Sequence, residues 1–126
     1  MPVRHISTGS PFEAQIGYSR AVSSGGLVYV SGTTGYDYST MTLPEHVVDQ
    51  CRNALATIAN VLEQAGTNLN HVLRVTYVLP DRADFPLLWP LTSAAFAVAR
   101  PAAMMFQAQL MEPAMKIEIE VTARLP

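Results

Sequence analysis

Two pairs of side chains in this 126-residue sequence have the types and spacing that chemistry needs. Tyr18 and Arg20 lie two residues apart in a strand-like run, so strand periodicity puts them on one side. A surface strand with a snorkelling arginine is the plain reading of that pair. Glu118 and Glu120 stand two apart in KIEIEVTAR, which sets their side chains about 7 Å apart on one face of a strand. Left in water, such carboxylates are merely solvated. Were that face covered, one of them would need an arginine or a hydrogen-bond donor, or its pKa would climb toward the range useful for proton transfer.

Other chemistries find little support. His5, His46 and His71 are far apart and form no HxH or HExxH pair, so no metal is expected. The single cysteine, Cys51, rules out an internal disulfide, and its place on the apolar stripe of a helix makes it a small buried hydrophobe rather than a nucleophile. Neither GxGxxG nor GxxxxGK[ST] occurs, and a turn explains Gly32 and Gly35 as well as a phosphate loop would.

Ser23, Ser24, Gly25 and Gly26 interrupt two strand-like runs within 18–31, which predicts a β-hairpin. Gly32 to Gly35 and then Tyr36 to Thr40 read as a loop that could wall a pocket. A long helix is predicted to about residue 65, opened by a capping box of Thr42 and Glu45. Its stripe is Val47, Cys51, Leu55, Ile58, Leu62 and Ala65, and Gly66 is its left-handed C-terminal cap. His71 to Leu79 predicts a central strand with both sides largely apolar. An irregular entry from Asp81 then leads to a regular helix from about Pro90 that ends before Pro101. Met104 to Leu110 predicts a core strand. In Lys116 to Arg124, the residues Ile117, Ile119, Val121 and Ala123 share the core face of another. The sum is one α+β domain over 1–126, with two helices on one side of a sheet.

Composition narrows the function classes. Hydrophobic residues make up 49% and charged residues 14%, so the chain folds, and a small domain with so few charges is expected to bury surface in an oligomer. A net charge of −2, with arginines scattered rather than clustered, argues against nucleic acid as a partner. No run is long enough for a membrane span or a signal peptide, and a cytoplasmic protein is expected.

Read together, IGYSRA, VYVSGTTG, VLEQAG, RVTYVLPDRADF, the Pro101-Ala102 pair before an apolar strand and KIEIEVTA resemble the Rid (YjgF) family of reactive-intermediate deaminases over almost the whole chain. The resemblance implies a chorismate-mutase-like fold: a six-stranded mixed sheet with two helices on one face, three copies forming a homotrimer around a central β-barrel, and sites in clefts between subunits. It also implies hydrolysis of enamines and imines to a keto acid and ammonia without metal or cofactor. Tyr18 matches the family's site tyrosine, Ser31 and Gly32 its SG turn, and Glu118 the glutamate that positions water or relays a proton; Tyr18 and Glu118 are thus the expected catalytic residues.

The departures fall at the substrate-binding positions. Where the family's Pro-Ala-Arg signature holds the substrate carboxylate, this chain has Ala103; Trp89 stands at the family's frequent asparagine, and Met105 at its common cysteine. Loss of a bidentate guanidinium removes a strong carboxylate partner, while Trp89 and Met105 enlarge the apolar wall. Arg20 is the preferred replacement in the cleft, with Arg100 as the other candidate. The expected function is imine hydrolysis of altered specificity. A non-catalytic binder of apolar metabolites in the same cleft is the alternative, and ribonuclease activity, attributed to some relatives, fits least.

Overall fold

The computed structural model describes residues 2–126. In chain order the elements are β1 (Arg4–Ile6), α1 (Pro11–Ile16), β2 (Ala21–Ser24), β3 (Leu27–Thr34), α2 (Val47–Ala65), β4 (Val72–Leu79), α3 (Phe85–Ala95), β5 (Ala102–Gln107) and β6 (Glu118–Arg124). They build the expected α+β architecture around a six-stranded mixed sheet of order β1-β2-β3-β6-β4-β5, in which only β4 and β5 pair in parallel. Gly25 and Gly26 take φ values of +62° and +82°, a conformation open to glycine at little cost, and close the β2–β3 hairpin where the sequence places it.

Helix α2 keeps its predicted stripe: Val47, Cys51, Leu55, Ile58, Leu62 and Ala65 are all buried. Gly66 ends it at φ +93°, its N–H bonded to the Glu63 and Leu62 carbonyls. The start differs from the predicted capping box. Thr42 instead pairs with Asp37 in a small bridge, and the helix begins after His46 without a side-chain cap. Gln50 supplies the hold from within. Fully buried, it donates to the carbonyls of Pro44 (2.7 Å) and Ala114 (2.9 Å) and accepts the Lys116 N–H (2.8 Å). These bonds tie the helix entry to the 114–116 segment, although they serve two carbonyls and the Lys116 N–H rather than the N–H groups of the first helical turn.

Helix α3 also departs from expectation, starting at Phe85 rather than Pro90 and ending at Ala95 rather than near Arg100. The Asp81 carboxylate accepts the Ala83 N–H and starts a 3₁₀ turn that delivers the chain into the helix early. Pro86 falls in the first turn, where its lack of an N–H is harmless; Pro90 forgoes one bond while the buried Leu88 keeps that turn on the core. Beyond Phe96 the chain unwinds into Arg100, which takes a left-handed φ of +45° before Pro101.

Both long helices share one core with the sheet face that presents Val28, Val75, Tyr77, Ile119 and Val121. The expected two helices become three. Ser10 caps α1 by accepting the Phe12 N–H, Pro11 opens the helix, and Gly17 closes it at φ +99°. Three further readings need correction. Strand β3 continues through Gly32 and Thr33 to Thr34, past a register irregularity after Val30, where a loop was expected. Tyr18 and Arg20 precede β2 rather than lying in it. β5 is an edge strand, so Met104, Met105 and Phe106, expected in the core, are about half exposed at 47%, 47% and 48%. No helix among the described residues is long and apolar enough to cross a membrane.

Candidate active site

A cleft of about 470 Å³ opens where α1, the end of β3, the 36–38 loop and the outer face of β6 meet, and it gathers Tyr18, Ser31, Gly32 and Glu118. Four of the residues singled out in the sequence thus share one site. Glu120 lies beside them, and Phe12, Ile16, Met111 and Met115 form an apolar wall. The Ser31 hydroxyl donates to the Ser19 carbonyl (2.6 Å), pinning β3 to the segment that carries Tyr18. Gly32 leaves the space that the Glu118 side chain fills, for a Cβ there would fall against the carboxylate. Burial raises the Glu118 pKa above the ordinary carboxylate value of 4.5; Arg20 pulls it back in part, and Glu120 pushes it further up. A carboxyl tuned toward neutrality beside a phenol is a fit pair for proton transfer.

Arg20 occupies a different place from the one expected of a substrate anchor. It is 0% exposed and lies behind the cleft wall. Its Nη1 donates to the Gly32 carbonyl (2.8 Å) and the Thr33 hydroxyl (3.3 Å), and its Nη2 to the Tyr18 hydroxyl (3.1 Å). The guanidinium is sandwiched between the Tyr18 and Tyr38 rings, at 5.4 and 4.7 Å from their centroids. A side chain so enclosed cannot reach a ligand carboxylate. The short strand-like pattern around it looked exposed because the covering Tyr38 comes from a loop eighteen residues on.

Trp89, Ala103 and Met105 come together elsewhere, in a shallow cleft of about 640 Å³ that Arg100 also lines. Phe85 meets Trp89 edge-on, with centroids 6.2 Å apart, and stacks at a tilt on Tyr77 at 5.2 Å. Ala103 and Met105 pair with Val75 and Tyr77 of β4, on the helix side of the sheet. Glu118 and Glu120 pair with Val78 and Thr76 and so face the other way. Within one chain the two groups of predicted site residues therefore stay apart. Of the two arginines weighed as replacements for the missing anchor, only Arg100 lines the cleft that holds Ala103.

The sequence reading passed over the apolar wall. Phe12 and Ile16 belong to α1, whose signal of Ser10, Pro11 and Gly17 was there to be used. Tyr36 donates to Glu112 (2.8 Å) across 76 residues, fixing the segment that brings Met111 and Met115 to the cleft, and no local pattern announces that pairing. Burial pushes the Cys51 thiol up to about 11, which leaves it an inert packing group. Among the described residues, no three His, Cys, Asp or Glu side chains gather into a group that could hold a metal.

Comparison with known proteins places this geometry. Residues 8–125 match the family model described as Endoribonuclease L-PSP. The 2-iminobutanoate/2-iminopropanoate deaminase of Mus musculus is 31% identical over 123 residues, covering 96% of this chain and 91% of that protein. The Capra hircus protein of the same name is 32% identical over a similar span, 96% and 90%. A crystal structure of a YjgF/YER057c/UK114 family member from Mycobacterium tuberculosis superposes with a TM-score of 0.89 at 34% identity, covering 98% of this chain and 100% of that one. A YjgF family protein from Neisseria meningitidis gives 0.84 at 29%, with 100% and 97% covered. With the model match spanning nearly the whole sheet and both clefts, the chain belongs to the Endoribonuclease L-PSP family, the YjgF/Rid proteins.

Proposed function

We propose that this protein is a cofactor-independent enamine and imine hydrolase whose specificity has moved away from small imino acids. The observation that carries the reading is the half-buried Glu118 carboxylate beside Tyr18 in an otherwise apolar cleft, in a chain whose relatives are named imine deaminases. Hydrolysis of an imine needs water added to the C=N carbon and ammonia expelled from the resulting carbinolamine. Glu118, tuned upward by burial, takes a proton from the attacking water and passes it to the imine nitrogen as the C=N electron pair moves there; it then carries the carbinolamine hydroxyl proton to the same nitrogen, so that the C–N bond breaks to release ammonia and the O–H electron pair becomes the new C=O bond. Tyr18 donates a hydrogen bond to the polar atom at the reacting centre. The apolar walls keep the rest of the site dry.

Specificity follows from the second cleft. Three copies assembled as a trimer would set the Trp89–Ala103–Met105 face of one against the Tyr18–Glu118 cleft of the next; the opposed facing of the two groups and the half-exposed Tyr29, Met104 and Phe106 on the sheet support that arrangement. With Ala103 where an anion clamp would stand, and Arg100 three positions away at the rim, the pocket favours an imine bearing a bulky apolar or aromatic group. Ribonuclease activity, which the family's description suggests, fits less well. Among the described residues the first cleft is lined by Glu112, Glu118 and Glu120 with no Lys, Arg or His, and would repel phosphate.

The test is ammonia release from imines generated in situ by amino-acid oxidases across a range of side chains. Bulky and aromatic imines are expected to turn over and 2-aminoacrylate poorly, with Glu118→Ala slowing the good substrates about 10²-fold or more. Ala103→Arg is expected to restore turnover of 2-aminoacrylate. Thermal stabilisation by apolar ligands without turnover of any imine would show a metabolite binder instead.

A further inference from the structure

The least ordinary group in the molecule is the cation at position 20. A fully buried charge is expensive unless it is partnered, yet Arg20 forms no ion pair among the described residues and its Nε–H has no acceptor. Its surroundings are a carbonyl, two hydroxyls and two tyrosine faces. What the arrangement does achieve lies toward the cleft. The Tyr18 hydroxyl accepts from Arg20 Nη2, which leaves the phenolic hydrogen free to donate into the cleft that Tyr18 lines. Nη1 grips the carbonyl of Gly32, the residue whose bare Cα the Glu118 carboxylate covers. Arg20 and Glu118 thus bracket a single residue of β3.

We propose that Arg20 is a positioning residue for the reaction, one that holds Tyr18 as a hydrogen-bond donor aimed at the reacting atom and sets a fixed positive charge behind the Glu118 carboxylate. The inference rests on the hydrolase reading only for the identity of the reaction served. A guanidinium suits the task because its planar fork can serve Tyr18 and Gly32 at once while its faces stack on rings. The other groups facing Glu118 or sharing its cleft are Glu120 on the same strand, Tyr18, Tyr38 and Glu112, while Glu13 on α1 also feels the Arg20 charge. Among the described residues, Arg20 is the one cation acting on Glu118, against burial and Glu120, which both push its titration upward.

Carboxyl and guanidinium resonances, followed by NMR through a pH titration of the resting protein, provide the test. In the wild type, the Arg20 Nε–H signal should move with the midpoint of the Glu118 carboxyl carbon, and in Glu118→Gln that movement should vanish. Arg20→Gln should raise the Glu118 midpoint. A flat Arg20 signal through the Glu118 midpoint overturns the proposal even if Arg20→Gln fails to fold, and so does an unmoved Glu118 in a folded Arg20→Gln. None of these readings requires turnover, so failure of the hydrolase assignment stays distinguishable. With a substrate in hand, Tyr18→Phe and Arg20→Lys should each lower kcat, and the double variant no further than the worse single; independent, multiplying losses would remove Arg20 from Tyr18's service.

Discussion

A Cβ added at Gly32 would meet the carboxyl end of Glu118, whereas one added at Gly35 would meet the backbone Cα and the side chain of Gln50. Neither glycine has a left-handed φ, so contact alone separates their fates. The end of a glutamate can swing aside, but the backbone of α2 cannot. Gly32→Ala should therefore keep its melting temperature nearly unchanged while activity falls with the displaced carboxylate. Gly35→Ala should lose about 1–3 kcal/mol in urea denaturation. The family resemblance picked out Gly32, but spacing alone read both glycines as turn residues and could not tell them apart, because Glu118 and Gln50 reach them through tertiary contacts. Arg20 shows the same limit. Its type and its nearness to Tyr18 were legible, yet its burial depends on Tyr38 closing over it from a loop.

Strong local signals gave α2, the Gly25–Gly26 hairpin and the core face of β6 directly. Where they failed, a longer-range contact had formed in place of a local one, as where Thr42 pairs with Asp37 and Gln50 anchors the α2 entry to the 114–116 segment, or an irregularity had shifted the count. Strand β4 is such a case. Its register slips between Val72 and Arg74, so Val72 is buried and Leu73 exposed, against the alternation that holds from Val75 onward. Helix α1 is held by a titratable group. Glu13, almost fully buried, accepts from the Thr8 N–H (3.2 Å) and hydroxyl (2.6 Å). Burial raises its pKa, but these bonds, with one from Ser7 and the charge of Arg20, outweigh it and leave the carboxyl below its ordinary 4.5. A depressed folded pKa means that the carboxylate's stabilisation is fully present above the ordinary value and is lost as pH falls through the folded one. Wild type should thus exceed Glu13→Gln by about 1 kcal/mol at pH 7 in urea titrations, with the gap closing below pH ~4.

For the whole molecule, the α+β class and the single sheet were readable from the order of elements, while the division of the site was not. Patterning assigns a residue to a face, but only the register of β4 against both β5 and β6 shows that Ala103 and Glu118 face opposite ways. Light scattering should give the mass of three chains if neighbouring copies complete the cleft, and a monomer would leave the two groups of residues divided. The uncovered edge at β5 carries a second consequence, in chemical lability. Met104 and Met105 are 47% exposed in the single chain, between Met111 at 89% and Met115 at 7%. Peroxide converts accessible thioethers to sulfoxides and spares shielded ones. In an isolated chain the order of oxidation should be Met111, then Met104 and Met105, then Met115. Where copies cover the sheet, Met104 and Met105 should react as slowly as Met115, and a peptide map after mild peroxide treatment would read the assembled state from sulfur alone.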